Sequence, residues 1–374
     1  MRAVAVHRRR TRRLRRAIRR TLRRIPRRAY VISAAALAVV GGTLAAVAAT
    51  SSSTPNAHQR SVEQPALLAA ARCPLTDLPA PGGMVPAREP LAVNIGNEPN
   101  TRPESGLEDA DILYDTPTEG GVMRWLAIFQ CTNAASIGPV RSVRWLDVRI
   151  LEQFGHVAYA FAGGIGPDTD AVSDTTFIDD ANAFTNPAAY TTDPNRSPPD
   201  ATYTSSSAIW ALFPHTSAPS PIFSYSIAPP STATPLQRLA IDFSPGTDSV
   251  WTWSPSAAAW VHSYGTVPDV DAANTQPITA TNVIVEVVHF SIGPYVESIG
   301  STGDIEAVTT GSGPGLVLRN GTATTVTWHR AALTDATTFT DASGATVSLA
   351  PGRTAVELVL DTTEARKGAV TLTP

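Results

Sequence analysis

Short apolar runs separated by turn residues dominate much of the chain. The runs LAVNI, DILYD, RWLAIF and HVAYAFAG are rich in β-branched and aromatic residues and predict strands. In VRWLDVRILEQF (143–154) the apolar residues recur at helical spacing, with charges on the opposite face, which predicts a helix. This mixture predicts an α/β domain with a mixed sheet over residues 73–214.

From Val250 onward the pattern changes to short strands joined by tight turns. WTWSPSAAAWVHSYG predicts a hairpin, TNVIVEVVHF a buried strand, and FTDASGATVSLAPGRTAVELVL two further strands. Asn320-Gly321 is a strong signal for a two-residue hairpin turn. We expect an antiparallel all-β domain over 250–374, preceded by a Pro/Ser-rich crossover at 215–249. Its tryptophans either close the β core or form a sugar-stacking face.

The N-terminus combines an arginine block with an apolar segment. Residues 1–28 contain 14 arginines and no acid, and residues 29–50 carry no charge. The second segment is long enough to cross a bilayer, and the positive-inside rule leaves the arginine tail in the cytoplasm. We therefore expect a single-pass membrane protein with its bulk outside, followed by a linker at 51–72. A twin-arginine pair and a small-residue cleavage site leave open a signal that is cleaved, with secretion.

The arginine tail itself has a predicted partner. Leu14, Ile18, Leu22 and Ile25 fall on one helical face of the tail, which indicates an amphipathic helix on anionic membrane lipids. We do not expect nucleic-acid binding, because the block adjoins a membrane segment.

The rest of the chain is acidic and nearly free of lysine. The tail takes 14 of the 29 basic residues, so the remaining 15 face 32 acids, a net charge of −17. Lys367 is the single lysine, which excludes Ser–Lys dyads, Schiff-base enzymes and Walker-A phosphate loops outside the membrane. The seven histidines are scattered without a ligand motif, so we expect no zinc site and no cofactor.

Cys73 and Cys131 are the only cysteines. An even number of cysteines in an exported chain predicts a disulfide. The alternative, Cys131 as a nucleophile, would need a free thiol and a nearby histidine.

Arginines and carboxylates are concentrated in one segment, residues 91–144. A packed core does not require so many arginines beside acids, and guanidinium groups bind phosphate or carboxylate in a bidentate manner. The arginines lie close to a predicted helix start, which also favours anions. We expect an anion site, against the alternative of internal salt bridges. Its candidate residues are Arg102, Asp111, Glu119, Arg124, Arg141, Ser142 and Arg144.

These residues also carry a family resemblance. The runs PLAVNIGNEPNTRPESGLEDADILYDTPTEGGVMRWLAIFQ and IGPVRSVR, and later TVTWHR and FTDASGATVSLAPGRTAVEL, resemble the YerB-like lipoproteins, a bacterial family of unknown function. The resemblance implies an envelope location and two domains, without an activity. The chain departs from the family at Gly96, usually an acid; at Asp115, usually Glu; at Phe161, often His; and at Pro199-Asp200, usually His-Asn. It also lacks the lipidation cysteine.

A looser similarity suggests a mechanism. Asp111 before an apolar strand, the later arginine pair, AYAFAGG and Arg196 follow the order found in LytR-CpsA-Psr phosphotransferases. That similarity implies arginines around a polyprenyl pyrophosphate, with Asp111 or Glu119 holding a divalent metal.

Three functional hypotheses result. The first is an envelope protein that binds a phosphate-bearing lipid or cell-wall polymer. The second is a glycopolymer phosphotransferase that acts on a polyprenyl phosphate. The third is a structural or protein-interaction scaffold whose arginines form internal salt bridges.

Overall fold

A computed structural model describes residues 70–214, 217–243, 246–296, 303–361 and 369–374. The predicted arginine tail, the apolar segment 29–50 and residues 51–69 of the predicted linker lie outside these ranges. Among the described helices, none has the length and apolar character that a membrane span requires. The described residues all belong to one compact unit.

The first half of the described chain contains seven strands, namely β1 (Leu91–Gly96), β2 (Ile112–Pro117), β3 (Met123–Phe129), β4 (Val157–Phe161), β5 (Ile178–Asn182), β6 (Tyr190–Thr192) and β7 (Thr202–Thr204). Its helices are α1 (Trp145–Leu151), α2 (Gly166–Ser173) and α3 (Ser206–Trp210). Single 3₁₀ turns lie at Pro81–Gly83, Glu119–Gly121, Glu152–Phe154 and Pro187–Ala189. The four predicted strands and the predicted helix are all present.

The second half is built from strands, and no α-helix occurs among its described residues. The strands are β8 (Thr234–Pro235), β9 (Arg238–Asp242), β10 (Ser249–Ser254), β11 (Ala259–Tyr264), β12 (Val267–Pro268), β13 (Thr279–Ala280), β14 (Asn282–Val288), β15 (Phe290–Ile292), β16 (Ile305–Ala307), β17 (Gly311–Arg319), β18 (Thr322–Arg330), β19 (Thr338–Thr340), β20 (Thr354–Leu360) and β21 (Ala369–Thr373). Asn320 and Gly321 both have positive φ, 51° and 69°, as the predicted two-residue turn between β17 and β18 requires.

One sheet of 11 strands runs through both halves, in the order β19-β18-β17-β14-β20-β2-β3-β1-β4-β5, with β8 beside β18. The N-terminal part is mixed, as predicted, since β1 is antiparallel to β3 and parallel to β4. In the C-terminal part most ladders are antiparallel, but β14 and β20 run parallel. β20 also pairs in parallel with β2, so it joins the two halves.

The two faces of this sheet have different coverings. One face packs against a second sheet, in the order β12-β11-β10-β9-β21, and buries Trp125, Trp251 and Trp260. The other face packs against α1 and α2 through residues such as Leu146 and Val172. Side chains alternate between the two cores along each strand, because successive strand residues point to opposite faces. The tryptophans of the second half therefore serve mainly to close a core.

Cys73 and Cys131 form a disulfide, as predicted. The bond ties the segment before β1 to the end of β3.

Candidate functional site

The candidate site lies on the helix-covered face of the large sheet, where β1 ends and β3 begins. Arg124 of β3 pairs with Gly96 of β1, and its side chain is buried. One guanidinium nitrogen, Nη2, lies 3.0 Å from Glu98 Oε1. The other, Nη1, donates to the carbonyl of Ser142 at 3.2 Å. Ser142 therefore contributes its backbone to this site.

Arg141 meets the same carboxylate from the other side. The segment before α1 runs alongside β1, with the Arg141 amide donating to Asn94 O at 2.8 Å. Arg141 Nη2 lies 3.3 Å from Glu98 Oε1, and Nη1 lies 2.5 Å from Asp200 Oδ1. A single oxygen of Glu98 is thus held between two guanidinium groups.

The charge on Glu98 is stabilised by these neighbours. Burial acts to raise the pKa of Glu98, but Arg124 and Arg141 outweigh it, and the pKa falls below its usual value. Burial lowers the pKa of Arg124, and the nearby charge of Arg144 lowers it further. The arginines are therefore close enough to repel one another.

Arg144 is the third member of the group and stands immediately before α1. Its Nη2 and Nε lie 3.0 and 3.1 Å from Glu119 Oε2, and its Nη1 donates to Val143 O at 3.0 Å. Glu119 opens the 3₁₀ turn Glu119–Gly121, where Gly120 and Gly121 have positive φ. The two glycines allow this tight turn, which directs Glu119 toward Arg144.

Each of these three guanidinium groups contacts at least one carboxylate. Arg124, Arg141 and Arg144 face Glu98, Glu119 and Asp200, so the local charges nearly balance. The exposed fraction of the side chain is 16% for Arg141, 18% for Glu98 and 14% for Asp200, against 4% for Arg124. The Arg141 end of the cluster is therefore the part that solvent reaches.

Two buried acids lie close to the cluster. Asp147 Oδ2 accepts hydrogen bonds from Asn94 Nδ2, from Tyr159 Oη and from the Arg144 amide. Burial, only partly offset by these bonds and by Arg144, raises its pKa to about 6. Burial also raises the pKa of Asp168, on α2, to about 7.

The remaining predicted site residues lie elsewhere. Arg102 stacks on the ring of Tyr264, with 3.1 Å from its guanidinium carbon to the ring centre. Its nitrogens donate to carbonyl oxygens of Gly246 and Asn97, each at 2.6 Å. Arg196 likewise donates to backbone carbonyls, of Thr101 at 2.6 Å and Pro103 at 2.7 Å. Both arginines fasten the loop that follows β1.

Asp111 lies at the opposite end of β2 from the arginines. Its Oδ2 accepts from the amides of Gln130 and Cys131 at 2.6 and 3.0 Å, so it caps the end of β3 beside the disulfide. Burial raises its pKa. The order of residues shared with the LytR-CpsA-Psr proteins does not bring Asp111 to the arginine cluster.

Sequence reasoning missed a buried acidic group on the other face of the sheet. Asp115 and Glu357 pair across β2 and β20 and are fully buried. Burial, and then the charge of Glu357, raise the pKa of Asp115 well above its usual value. Nearly 250 residues of sequence separate the two acids, so only the parallel pairing of their strands could have revealed the group.

The same buried region contains a Ser-His-Asp arrangement. His262 Nε2 lies 3.1 Å from Ser249 Oγ, and its Nδ1 lies 2.7 Å from Asp269 Oδ2. Ser249 is fully buried, and its hydroxyl donates to Glu357 Oε1 at 2.7 Å. A nucleophilic serine must reach a substrate, which the buried Ser249 does not. We therefore interpret the Ser249–His262–Asp269 arrangement as part of the core.

Glu89, His156 and Asp179 form a further group, and it is one that could hold a metal. Each offers a ligand atom, and these atoms lie within 4.8 Å of one another. No metal-binding motif is visible in the sequence, because the three residues come from segments that are far apart along the chain.

The sequence matches two family models, "Protein of unknown function (DUF3048) N-terminal domain" over residues 75–218 and "Protein of unknown function (DUF3048) C-terminal domain" over residues 239–356. The chain belongs to the DUF3048 family. The predicted YerB-like membership is thereby confirmed, with both of its domains.

Two comparisons with YerB of Bacillus subtilis, one of sequence and one of structure, illustrate this membership. The Bacillus subtilis (strain 168) protein named "Putative lipoprotein YerB" is 41% identical over 86 residues, which is 23% of this chain and 26% of that protein. The chain thus matches about a quarter of the length of this relative. The crystal structure of the YerB protein from Bacillus subtilis has a TM-score of 0.68 at 20% identity, covering 80% of this chain and 99% of that one. The second likeness concerns the fold.

Gly96 and Asp200, noted above as departures from the family resemblance, lie beside the arginine cluster. A Cβ atom at Gly96 would lie 3.0 Å from Glu98 Oε2 and 2.7 Å from Thr101 Cγ2, so a glycine here leaves room for the Glu98 side chain. Asp200 adds a second acid to Arg141.

Proposed function

We propose that this protein is an extracytoplasmic component of the bacterial envelope that binds a phosphate-bearing lipid or cell-wall polymer at Arg124, Arg141 and Arg144. Membership in the family of YerB, a protein named as a lipoprotein, supports the envelope location. The arginine tail and the apolar segment at 29–50 support a membrane-anchored topology.

One observation carries the ligand class. Glu98 Oε1 lies 3.0 Å from Arg124 and 3.3 Å from Arg141, which is the contact that two guanidinium groups make with a single anionic oxygen. In the free protein this position is occupied by a side chain from the loop after β1. A phosphate group carries more charge and more acceptor oxygens than a carboxylate, so it competes for the same donors.

The internal carboxylates set the affinity. A ligand must replace Glu98 or Asp200 at Arg141, and each exchange breaks an existing ion pair. Removing a competing acid should therefore tighten binding, whereas removing Arg141 should weaken it. This opposite pair of effects distinguishes a ligand site from salt bridges that only support the fold.

The test is calorimetric titration of the full chain with inorganic pyrophosphate at low salt. We expect Asp200→Asn to bind several-fold more tightly than the wild type and Arg141→Ala at least about tenfold more weakly, a difference of about 1.4 kcal/mol. The arginine tail is common to all variants, so the differences report the cluster. Arg72→Ala, which removes an exposed arginine paired with Asp77, is the matched control and should bind as the wild type does.

A structural scaffold is the second candidate, and the charge matching of the cluster favours it. Each of the three guanidinium groups already has a carboxylate partner. On this view Arg141→Ala lowers the free energy of unfolding. Pyrophosphate binding should then be the same in the wild type, in Asp200→Asn and in Arg141→Ala. That result would contradict the proposed ligand site.

A further inference from the structure

Three ionisable side chains from separate segments of the chain meet where β1, β4 and β5 begin. Glu89 precedes β1, His156 precedes β4, and Asp179 is the second residue of β5. β4 runs parallel to both β1 and β5, with Ala158 opposite Leu91 and also opposite Asp179. Neighbouring parallel strands begin at the same end of a sheet, so the parallel pairing of β1, β4 and β5 brings these three residues together.

The contacts within the group are short. His156 Nδ1 lies 2.7 Å from Glu89 Oε2, and His156 Nε2 lies 3.8 Å from Asp179 Oδ1. We propose that Glu89, His156 and Asp179 form a binding site for a divalent transition metal ion such as zinc. An imidazole nitrogen with two carboxylate oxygens is a donor set of the zinc type, and a site with three protein ligands keeps a position open.

The two carboxylates contact different nitrogens of the imidazole, Glu89 at Nδ1 and Asp179 at Nε2. One metal ion binds one of these nitrogens, so with zinc at Nδ1 the Asp179 side chain has to turn toward that side of the ring. Zinc bonds of about 2.0–2.2 Å in a tetrahedral arrangement place neighbouring ligand atoms about 3.3–3.6 Å apart. The contact between Glu89 and His156 would lengthen by less than about 1 Å. Asp179 lies on β5, the edge strand of the sheet, and its side chain retains 20% exposure, so it can turn toward the metal.

A cavity borders one residue of the group, His156. A space of about 400 Å³ is lined by His156 together with Glu152, Phe154, Gly155, Pro219 and Thr334. The His156 side chain is 40% exposed, whereas that of Glu89 is only 2% exposed. A metal held here would rest on a buried carboxylate while its open side admits water or a small ligand.

The electrostatic surroundings favour a cation. The chain after residue 28 has a net charge of −17. Arg88, although next to Glu89 in sequence, directs its guanidinium toward the backbone oxygens of Gln130 and Thr132 and stacks on Trp210. The site lies at the start of β1, whereas the arginine cluster lies past its end, so this proposal does not depend on the proposed anion site.

The experiment is calorimetric titration of the metal-stripped full chain with zinc chloride. We expect a site of micromolar or tighter affinity that is lost, or weakened at least tenfold, in His156→Ala and in Asp179→Asn. His289→Ala is the matched control, because His289 is an exposed histidine 3.1 Å from a single carboxylate, that of Asp361. This control should retain the site.

Circular dichroism establishes that each variant is folded before titration. If His156→Ala fails to fold, Asp179→Asn decides the question, since its change keeps the shape of the side chain on an edge strand. Absence of zinc binding to the wild type would overturn the proposal. Equal binding by the wild type, His156→Ala and Asp179→Asn would overturn it as well, because the metal would then be held elsewhere.

Discussion

Burial and neighbouring charges shift the pKa values of ionisable residues near the arginine cluster, in opposite directions at Glu98 and Asp168. Arg124, Arg141 and Arg144 each contact a carboxylate. Asp168 lies nearby in an environment that disfavours its ionised form, and its Oδ2 is buried without a hydrogen-bond partner among the described residues. Glu98, whose pKa is lowered, and Asp168, whose pKa is raised, therefore have opposite effects on stability as the pH changes.

This contrast predicts a pH effect for Asp168→Asn. The pKa of Asp168 rises from 3.8 to about 7 on folding. Between these values the folded chain holds a proton that the unfolded chain has lost, so the stability contributed by this residue falls as the pH rises. Replacement by Asn removes that slope, and relative to wild type the variant should gain stability from pH 4 to pH 8, on the order of 4 kcal/mol at most.

Urea unfolding at a series of pH values measures this gain. Asp170→Asn is the matched control, since Asp170 lies on the same helix with an exposed side chain. A stability difference between Asp168→Asn and the wild type that stays constant over the series would contradict the assignment.

At the scale of residues, the sequence indicated that arginines and acids would interact, but not which side chains would pair. The segment 91–144 indicated either an anion site or internal salt bridges, and three of its four arginines do lie together. Arg102 does not join them because the backbone oxygen of Asn97, in the same loop, and the ring of Tyr264 hold it on the opposite face. The partner Asp200 comes from a distant loop, and a contact of that kind leaves no periodic signal in the sequence.

At the scale of elements, local patterns predicted most strands correctly. β1 to β4, the helix α1 and the hairpin of β17 and β18 all lie where apolar spacing or turn residues indicated them. β9 was not anticipated, because its residues lie within a Pro/Ser-rich stretch that suggested a crossover. The parallel pairing of β14 with β20 was also missed, since pairing across more than seventy residues has no local signature.

The disulfide between Cys73 and Cys131 restrains the end of β3. The disulfide closes a loop with a sequence separation of 58 residues. Replacing both cysteines, Cys73→Ser with Cys131→Ser, should therefore lower the free energy of unfolding by about 4 kcal/mol in the chain-entropy model. Urea denaturation of the variant and of the wild type measures the loss, with the reduced wild type as the control. A difference below about 1 kcal/mol would show that the loop is restrained without the bond.

At the scale of the whole molecule, the two family regions share one sheet. β20 lies between β14 and β2 and is buried along almost its entire length. In the region matched by the N-terminal family model, β2 therefore has β20, a strand from the second half of the chain, as its partner on one side. The domains recognised in sequence are not independent in structure.

Nested truncations test this dependence. A chain ending at Arg353 lacks β20 and should lose cooperative unfolding in both halves, because β2 and β14 each lose a buried neighbour. A chain ending at Asp361 keeps β20 and lacks the exposed edge strand β21, so it should retain a single transition at a slightly lower urea concentration. Tryptophan fluorescence and far-UV circular dichroism follow the unfolding. A cooperative transition in the shorter chain would refute the dependence.

The position of β20 also has a consequence for biogenesis. This strand is synthesised after both of its neighbours, β2 and β14, so the centre of the sheet stays open until residues 354–360 are available. Until then β2 and β14 each present an unpaired backbone edge, the kind of surface on which chaperones act and on which neighbouring chains aggregate. Completion of the sheet therefore waits for residues 354–360, and a product that terminates before them would keep both strand edges open to aggregation and proteolysis.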